Sequence, residues 1–171
     1  VFLADNSEPL LVPERNGAGW VASDWSFVSS ANAEIDSLKT LSDAKACIIL
    51  DEFETRMADL APGAKGSVAL TAMSPDALEY EVNIDDDALV VFSEIWYPVG
   101  WVAKIDGEIV DPIRVNYLFR ALKVPAGQHN VTWEYISEEG GSGWVTMANI
   151  LLILFVIVAF WMGIKLSLKE K

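Results

Sequence analysis

The clearest pattern along the chain is alternation. In S-V-A-L-T-A-M (67–73) and L-E-Y-E-V-N-I (78–84), apolar and polar residues follow each other at period two. Half-buried strands read this way, because successive side chains point to opposite faces. Further strand-like runs follow as A-L-V-V-F-S-E-I-W, W-V-A-K-I, Y-L-F-R-A-L-K-V and H-N-V-T-W-E-Y-I. Turn residues separate them: Asp85, Asp86 and Asp87, then Pro98 with Gly100, then Asp106-Gly107, then P-A-G-Q. An Asp-Gly pair suits a two-residue hairpin turn, whose central positions both need positive φ. Short strands joined by such turns predict a mainly β domain, a β-sandwich of jelly-roll-like character.

Upstream the period changes. The run W-V-A-S-D-W-S-F-V from Trp20 predicts one strand, rich in aromatic and β-branched residues. In S-S-A-N-A-E-I-D-S-L-K-T-L, Ile35, Leu38 and Leu41 stand at helical spacing, with Ser30 or Asn32 as N-cap. Residues 46–50 predict an apolar strand. The segment D-E-F-E-T-R-M-A-D-L predicts a second short helix, ended by Pro62 and Gly63.

The last pattern is the absence of any alternation. Residues 144–164 form a run of twenty-one residues without a charge, apolar on every helical face. As a helix this run is about 31 Å long, the thickness of a bilayer's hydrocarbon core. Trp144 and Trp161 stand near its ends, where indole rings favour the headgroup level. Lys165, Lys169 and Lys171 follow it, and the twenty residues before it hold no Lys or Arg. The positive-inside rule then puts the C-terminus in the cytoplasm and the β-domain outside. The N-terminus has no export leader of its own. The chain therefore reads as the C-terminal part of a longer membrane protein. Its expected parts are a lead-in (1–19), an extracytoplasmic β-sandwich domain (20–137), a Gly-rich hinge (138–143), the transmembrane α-helix (144–164) and a basic cytoplasmic tail (165–171).

Charge narrows the partners. Acidic residues outnumber basic ones 25 to 12, and only one acid follows the apolar run. The exported part thus carries a net charge of about −15, which argues against nucleic acid and anionic headgroups. The lipid bilayer and upstream transmembrane helices of the same protein remain as expected partners. Cys47 is the single cysteine, so no internal disulfide is possible; it reads as a buried strand residue.

Specific catalytic motifs are missing. His129 is the only histidine, which leaves His-rich metal sites and His-based triads without material. The three consecutive aspartates lack EF-hand spacing and read as a solvated turn. No Gly-rich phosphate loop and no GxSxG occurs. Neither a cofactor nor a metal is expected, and no residue is assigned a catalytic role. Glu94, Asp106, Glu108 and Asp111 lie close in sequence, which leaves a weak hydrolase reading. Recognition residues are better represented. Trp96, Tyr97 and Trp101 cluster around one turn, and flat aromatic faces bind sugars. Arg114, Asn116 and Arg120 would share one face of a regular strand, where they could grip hydroxyls, a carboxylate or a phosphate. His129 completes the candidate surface. The plainer alternative is that the tryptophans fill the sandwich core and the arginines pair with carboxylates.

Between residues 89 and 135 the chain resembles a known family. F-S-E-I-W-Y-P-V-G-W-V-A-K-I-D-G, then R-V-N-Y-L-F-R-A-L-K-V-P-A-G-Q-H-N-V-T-W-E-Y, is similar to the end of bacterial YfhO-family membrane proteins. G-A-G-W-V and S-A-N-A-E-I-D-S-L resemble the segment upstream of it. Val99, between Pro98 and Gly100, departs from the family pattern. The resemblance implies a polytopic protein similar to glycosyltransferases that use lipid-linked sugars, with its catalytic acid near the outer ends of early helices. This chain would then be an accessory or recognition part without the catalytic centre, facing an envelope glycan or lipid-linked sugar. The alternative from another class is a non-enzymatic, membrane-anchored carbohydrate-binding or structural module of the cell envelope.

Overall fold

The computed structural model describes residues 16–136 and 143–169. The lead-in up to residue 15 and hinge residues 138–142 lie outside them. The chain divides into two compact units, Val1–Tyr135 and Ile136–Lys171. The first is mainly β, with eleven strands among the described residues in two sheets.

The six-stranded sheet contains β1 (Gly19–Val21), β2 (Trp25–Val28), β3 (Cys47–Leu50), β6 (Ala88–Ile95), β9 (Ile113–Val115) and β10 (Phe119–Val124), ordered β1-β6-β10-β9-β3-β2. The five-stranded sheet contains β4 (Gly66–Met73), β5 (Ala77–Ile84), β7 (Trp101–Ile105), β8 (Glu108–Val110) and β11 (Gly127–Tyr135), ordered β4-β5-β11-β7-β8. Residues Leu78, Tyr80, Val82 and Ile84 of β5 meet Val90 and Phe92 of β6 and Leu122 and Val124 of β10 in the core between the sheets. Tyr80, Phe92 and Trp133 stack edge-to-face through it, with ring centroids 4.8 and 5.5 Å apart. Full burial of each such side chain stabilises the fold by roughly 2–3 kcal/mol.

The two sheets differ in a way their sequences explain. Strand β5 alternates buried and exposed residues, since one of its faces meets water. Strand β6 is buried without a break from Ala88 to Phe92. Its second face, with Leu89 and Val91, joins Trp20, Ile49, Met57, Ile113, Val115 and Ala121 in another core. A sheet covered on both sides takes a continuous apolar run.

One expectation needs correction. The run from Trp20 is not one strand: β1 pairs antiparallel with β6, and β2 pairs parallel with β3. The chain leaves the sheet at Ala22, whose N–H donates to Leu89 O at 2.8 Å. A parallel pair needs a long crossover, and α1 (Ala31–Leu38) supplies it. Ser30 caps α1, accepting from Ala33 N–H at 3.3 Å. In this helix Ile35 is exposed and Glu34 is fully buried. The second short helix (Asp51–Met57) forms as expected and is of 3₁₀ type, and its Phe53 and Met57 close the second core.

Strand β4 lies at the edge of its sheet. Its pairing with β5 slips between Leu70 and Ala72, and Thr71 donates its hydroxyl to Glu79 O at 3.1 Å. At Asp106-Gly107, φ values of 51° and 88° form the expected hairpin turn between β7 and β8.

In the second unit, Gly143–Lys169 is one α-helix, α2, of 27 residues. Its described apolar side chains, including Leu151, Phe155, Phe160 and Met162, are exposed. Among the described residues no helix is long and apolar enough to cross a membrane.

Candidate functional site

A cleft of about 490 Å³ opens at one end of the β-domain, with walls from both sheets. It gathers four of the seven residues singled out from sequence: Trp96, Tyr97, Trp101 and Arg120. Trp133 and Arg56 also line it, and neither was expected there. Trp96 and Tyr97 follow β6 on the turn into β7, with Trp96 half-buried and Tyr97 exposed. Trp101 shares the inward parity of Ala103 and Ile105, so it packs on the core while bordering the cleft. Its ring meets Tyr135 edge-on at 5.6 Å. Gly100 makes that approach possible: it has φ +82°, and a Cβ there would lie 2.5 Å from the Tyr135 ring.

Arg120 is the unusual member. It is 5 % exposed, and its guanidinium lies over two indoles, 4.6 Å from the Trp101 centroid and 5.1 Å from that of Trp133. Nε donates to Ile95 O at 2.8 Å. Nη1 is buried with no acceptor among the described residues, as is Trp133 Nε1. Burial lowers the Arg120 pKa, opposed by the fields of Glu94 and Tyr80. Tyr80, whose hydroxyl is also buried without a partner among the described residues, is pushed up to about 12, first by burial and then by Glu94. Arg56 is held by backbone carbonyls, donating to Pro112 O at 3.1 Å and Asp111 O at 2.6 Å. Among the described residues, the hydrogen bonds of these two guanidinium groups go to main-chain oxygens. Three tryptophans, a tyrosine and two arginines line the cleft, a set that suits a ligand with a flat apolar face and acceptor groups.

The other three candidates lie elsewhere, and the single-strand face drawn for the arginines is corrected. Arg114 and Arg120 do oppose each other, but across the β9–β10 ladder. Asn116 sits in the connecting turn with φ +51°, followed by Tyr117 at +69°. Its Oδ1 accepts from Ile48 N–H at 2.8 Å and its own N–H donates to Ile48 O at 2.8 Å, extending the strand pairing through a side chain. Arg114 donates to Tyr117 O at 2.6 Å and to Glu34 at 2.9 Å. Glu34 also accepts from Tyr117 N–H at 2.6 Å. Arg114 and Asn116 thus hold a strained turn. The buried Glu34 was missed because nothing local marks it; its partners lie about 80 positions away.

His129 is bound to Asp106 at 2.6 Å beside the β7–β8 turn. That hydrogen bond raises the His129 pKa and lowers that of Asp106. Asp85 and Asp87 accept from Lys65 N–H and Ala126 N–H, which makes them turn residues. Cys47 is buried, and its thiol is pushed up to about 12 by burial. A second cleft of about 460 Å³ lies beside Trp20, Lys45 and Lys65 and holds none of the residues singled out.

The class defined by these features is a two-sheet β-domain with an aromatic cleft, followed in the chain by the 27-residue helix α2. Over residues 51–145, more than half its length, the chain matches the family described as Bacterial membrane protein YfhO. It belongs to that family, and so to membrane proteins. No curated protein and no solved structure matches it.

Proposed function

We propose that this chain is an extracytoplasmic recognition part of a polytopic membrane protein that transfers sugars from lipid-linked donors, with the cleft at Trp101 as its glycan contact. Chemistry would occur elsewhere in that protein. The observation that carries the reading is the gathering of Trp96, Tyr97 and Trp101 around one cleft with Arg120 at its floor. Sugar rings present apolar faces to such indoles and hydroxyls to such donors. The α2 helix is the proposed membrane span: 27 helical residues extend about 40 Å, more than the hydrocarbon core requires. The lysines at 165, 169 and 171 support a cytoplasmic C-terminus and an outward β-domain.

The test is calorimetric titration of the full chain in nanodiscs with envelope oligosaccharides, beside Trp101→Ala. Saturable binding that the variant loses while keeping its melting temperature within a few degrees is the expected result. No binding by the unaltered chain overturns the glycan reading and leaves the domain a structural support.

A further inference from the structure

We infer that the cleft selects a sugar bearing a single oxyanion, either a carboxylate or a phosphate monoester, with Arg120 as the residue that meets the charge. This rests on the glycan reading above and narrows its ligand class.

The argument starts from what is unsatisfied. Buried polar atoms in folded proteins nearly always have partners, so each orphan needs a reason. Two orphans belong to cleft-lining residues, Arg120 Nη1 and Trp133 Nε1. Both are N–H donors. A ligand that completes them must bring acceptors, which excludes ammonium groups and favours oxyanions. Arg120 is also a charge nineteen-twentieths buried, with no carboxylate in ion-pair contact among the described residues. Taking such a charge out of water is costly unless an anion offsets it. The two indoles offset part of that cost from the faces of the guanidinium plane. In-plane acceptors are what remain to be supplied. Carboxylate and phosphate present two oxygens at the spacing of a guanidinium edge.

The rest of the site limits what carries the anion. Arg56 adds a second cation at the cleft, its hydrogen bonds among the described residues going to main-chain carbonyls. Asp111 also lines the cleft, and the field of Glu94 reaches Arg120. Of the lining side chains, Arg56 and Arg120 against Asp111 leave one net positive charge, which Glu94 outside the lining offsets in part. The domain beyond it is strongly acidic and repels a polyanion at long range. One anionic group on one ring fits both facts, and Trp96, Tyr97 and Trp101 provide the apolar contact for the ring.

The experiment uses the full chain in phosphatidylcholine nanodiscs. Glucuronate and glucose 1-phosphate are titrated against methyl glucoside as the neutral ring, and against acetate and inorganic phosphate as anions without a ring. The expected result is at least tenfold tighter binding of one anionic sugar than of methyl glucoside or its parent anion. Which of the two sugars wins separates the carboxylate from the phosphate. Arg120→Gln should bring anionic and neutral sugars to the same affinity. Equal binding of charged and neutral sugars by the unaltered chain overturns this inference and leaves the glycan reading standing. Tight binding of acetate or phosphate alone overturns the sugar half. Binding of none of the five overturns both. If Arg120→Gln does not fold, Arg56→Gln, on the cleft wall, should reduce the anion preference at least threefold. An unchanged preference in that variant counts against the inference.

Discussion

Glu34→Ala tests whether α1 is a clamp or a surface helix. Its carboxylate is fully buried and takes two charge-assisted hydrogen bonds, from Tyr117 N–H at 2.6 Å and Arg114 Nη2 at 2.9 Å. Removing it leaves a main-chain donor orphaned and a largely buried guanidinium without its counter-charge. Removing one member of a buried pair costs about 3–5 kcal/mol. The Arg114 bond to Tyr117 O survives, and the Arg114 side chain keeps 15 % exposure, so a value near the lower end is expected. Glu34→Gln keeps an acceptor for Tyr117 and should lose about half as much. Urea unfolding of the full chain in detergent, followed by near-ultraviolet circular dichroism, reads the change. Five of the seven tryptophans lie in the β-domain and dominate that signal. Asp36→Ala is the internal control, since its pair with Lys39 is exposed on both sides and contributes little. A Glu34→Ala loss no larger than that of Asp36→Ala would refute the reasoning.

Three further outcomes follow from the same structure. Tyr80→Phe removes a buried hydroxyl that has no partner among the described residues, so stability should hold or rise by up to about 1 kcal/mol. A thermal-melt loss would mean that the hydroxyl is satisfied. Gly100→Ala must adopt φ +82° and push on the Tyr135 ring, costing about 1–3 kcal/mol and disturbing Trp101, which a melt and a tryptophan spectrum both read. For the Asp106–His129 pair, the raised His129 pKa makes its contribution complete below the ordinary histidine value of 6.5 and lost as pH rises through the raised value. The lowered Asp106 contributes above the ordinary value of 3.8 and fades as pH falls through its lowered one. His129→Asn should therefore abolish an alkaline-side fall in stability; parallel pH profiles for variant and parent would contradict this.

How much of this was readable in advance depended on the range of the interactions involved. The β5 alternation, the Asp106-Gly107 turn and the Ser30 cap are local, and the residues alone determine them. The break between β1 and β2 is not local, because it depends on two different partner strands. Strands β8 and β9 have three residues each, too few for a period to register. The site divides the same way. Trp96, Tyr97 and Trp101 were visible as a cluster because a single turn holds them. Trp133 and Arg56 come from distant positions, and a tryptophan within a β run looks like core until its orphaned Nε1 is seen. The R-x-N-x-x-x-R spacing suggested one face, but a turn of two left-handed residues placed Asn116 in a structural role.

The slip in β4 has a consequence for how copies of this chain behave together. From Gly66 to Met73 the strand has no charge and no proline, and it lies at an open sheet edge. A straight, neutral edge of that kind recruits a further strand from any neighbour, and two molecules anchored in one membrane meet often. The extra residue at Thr71 twists the ladder out of register and ties the hydroxyl back to its own sheet. Deleting that residue would restore a flat template, turning a protected edge into a seed for edge-to-edge polymerisation.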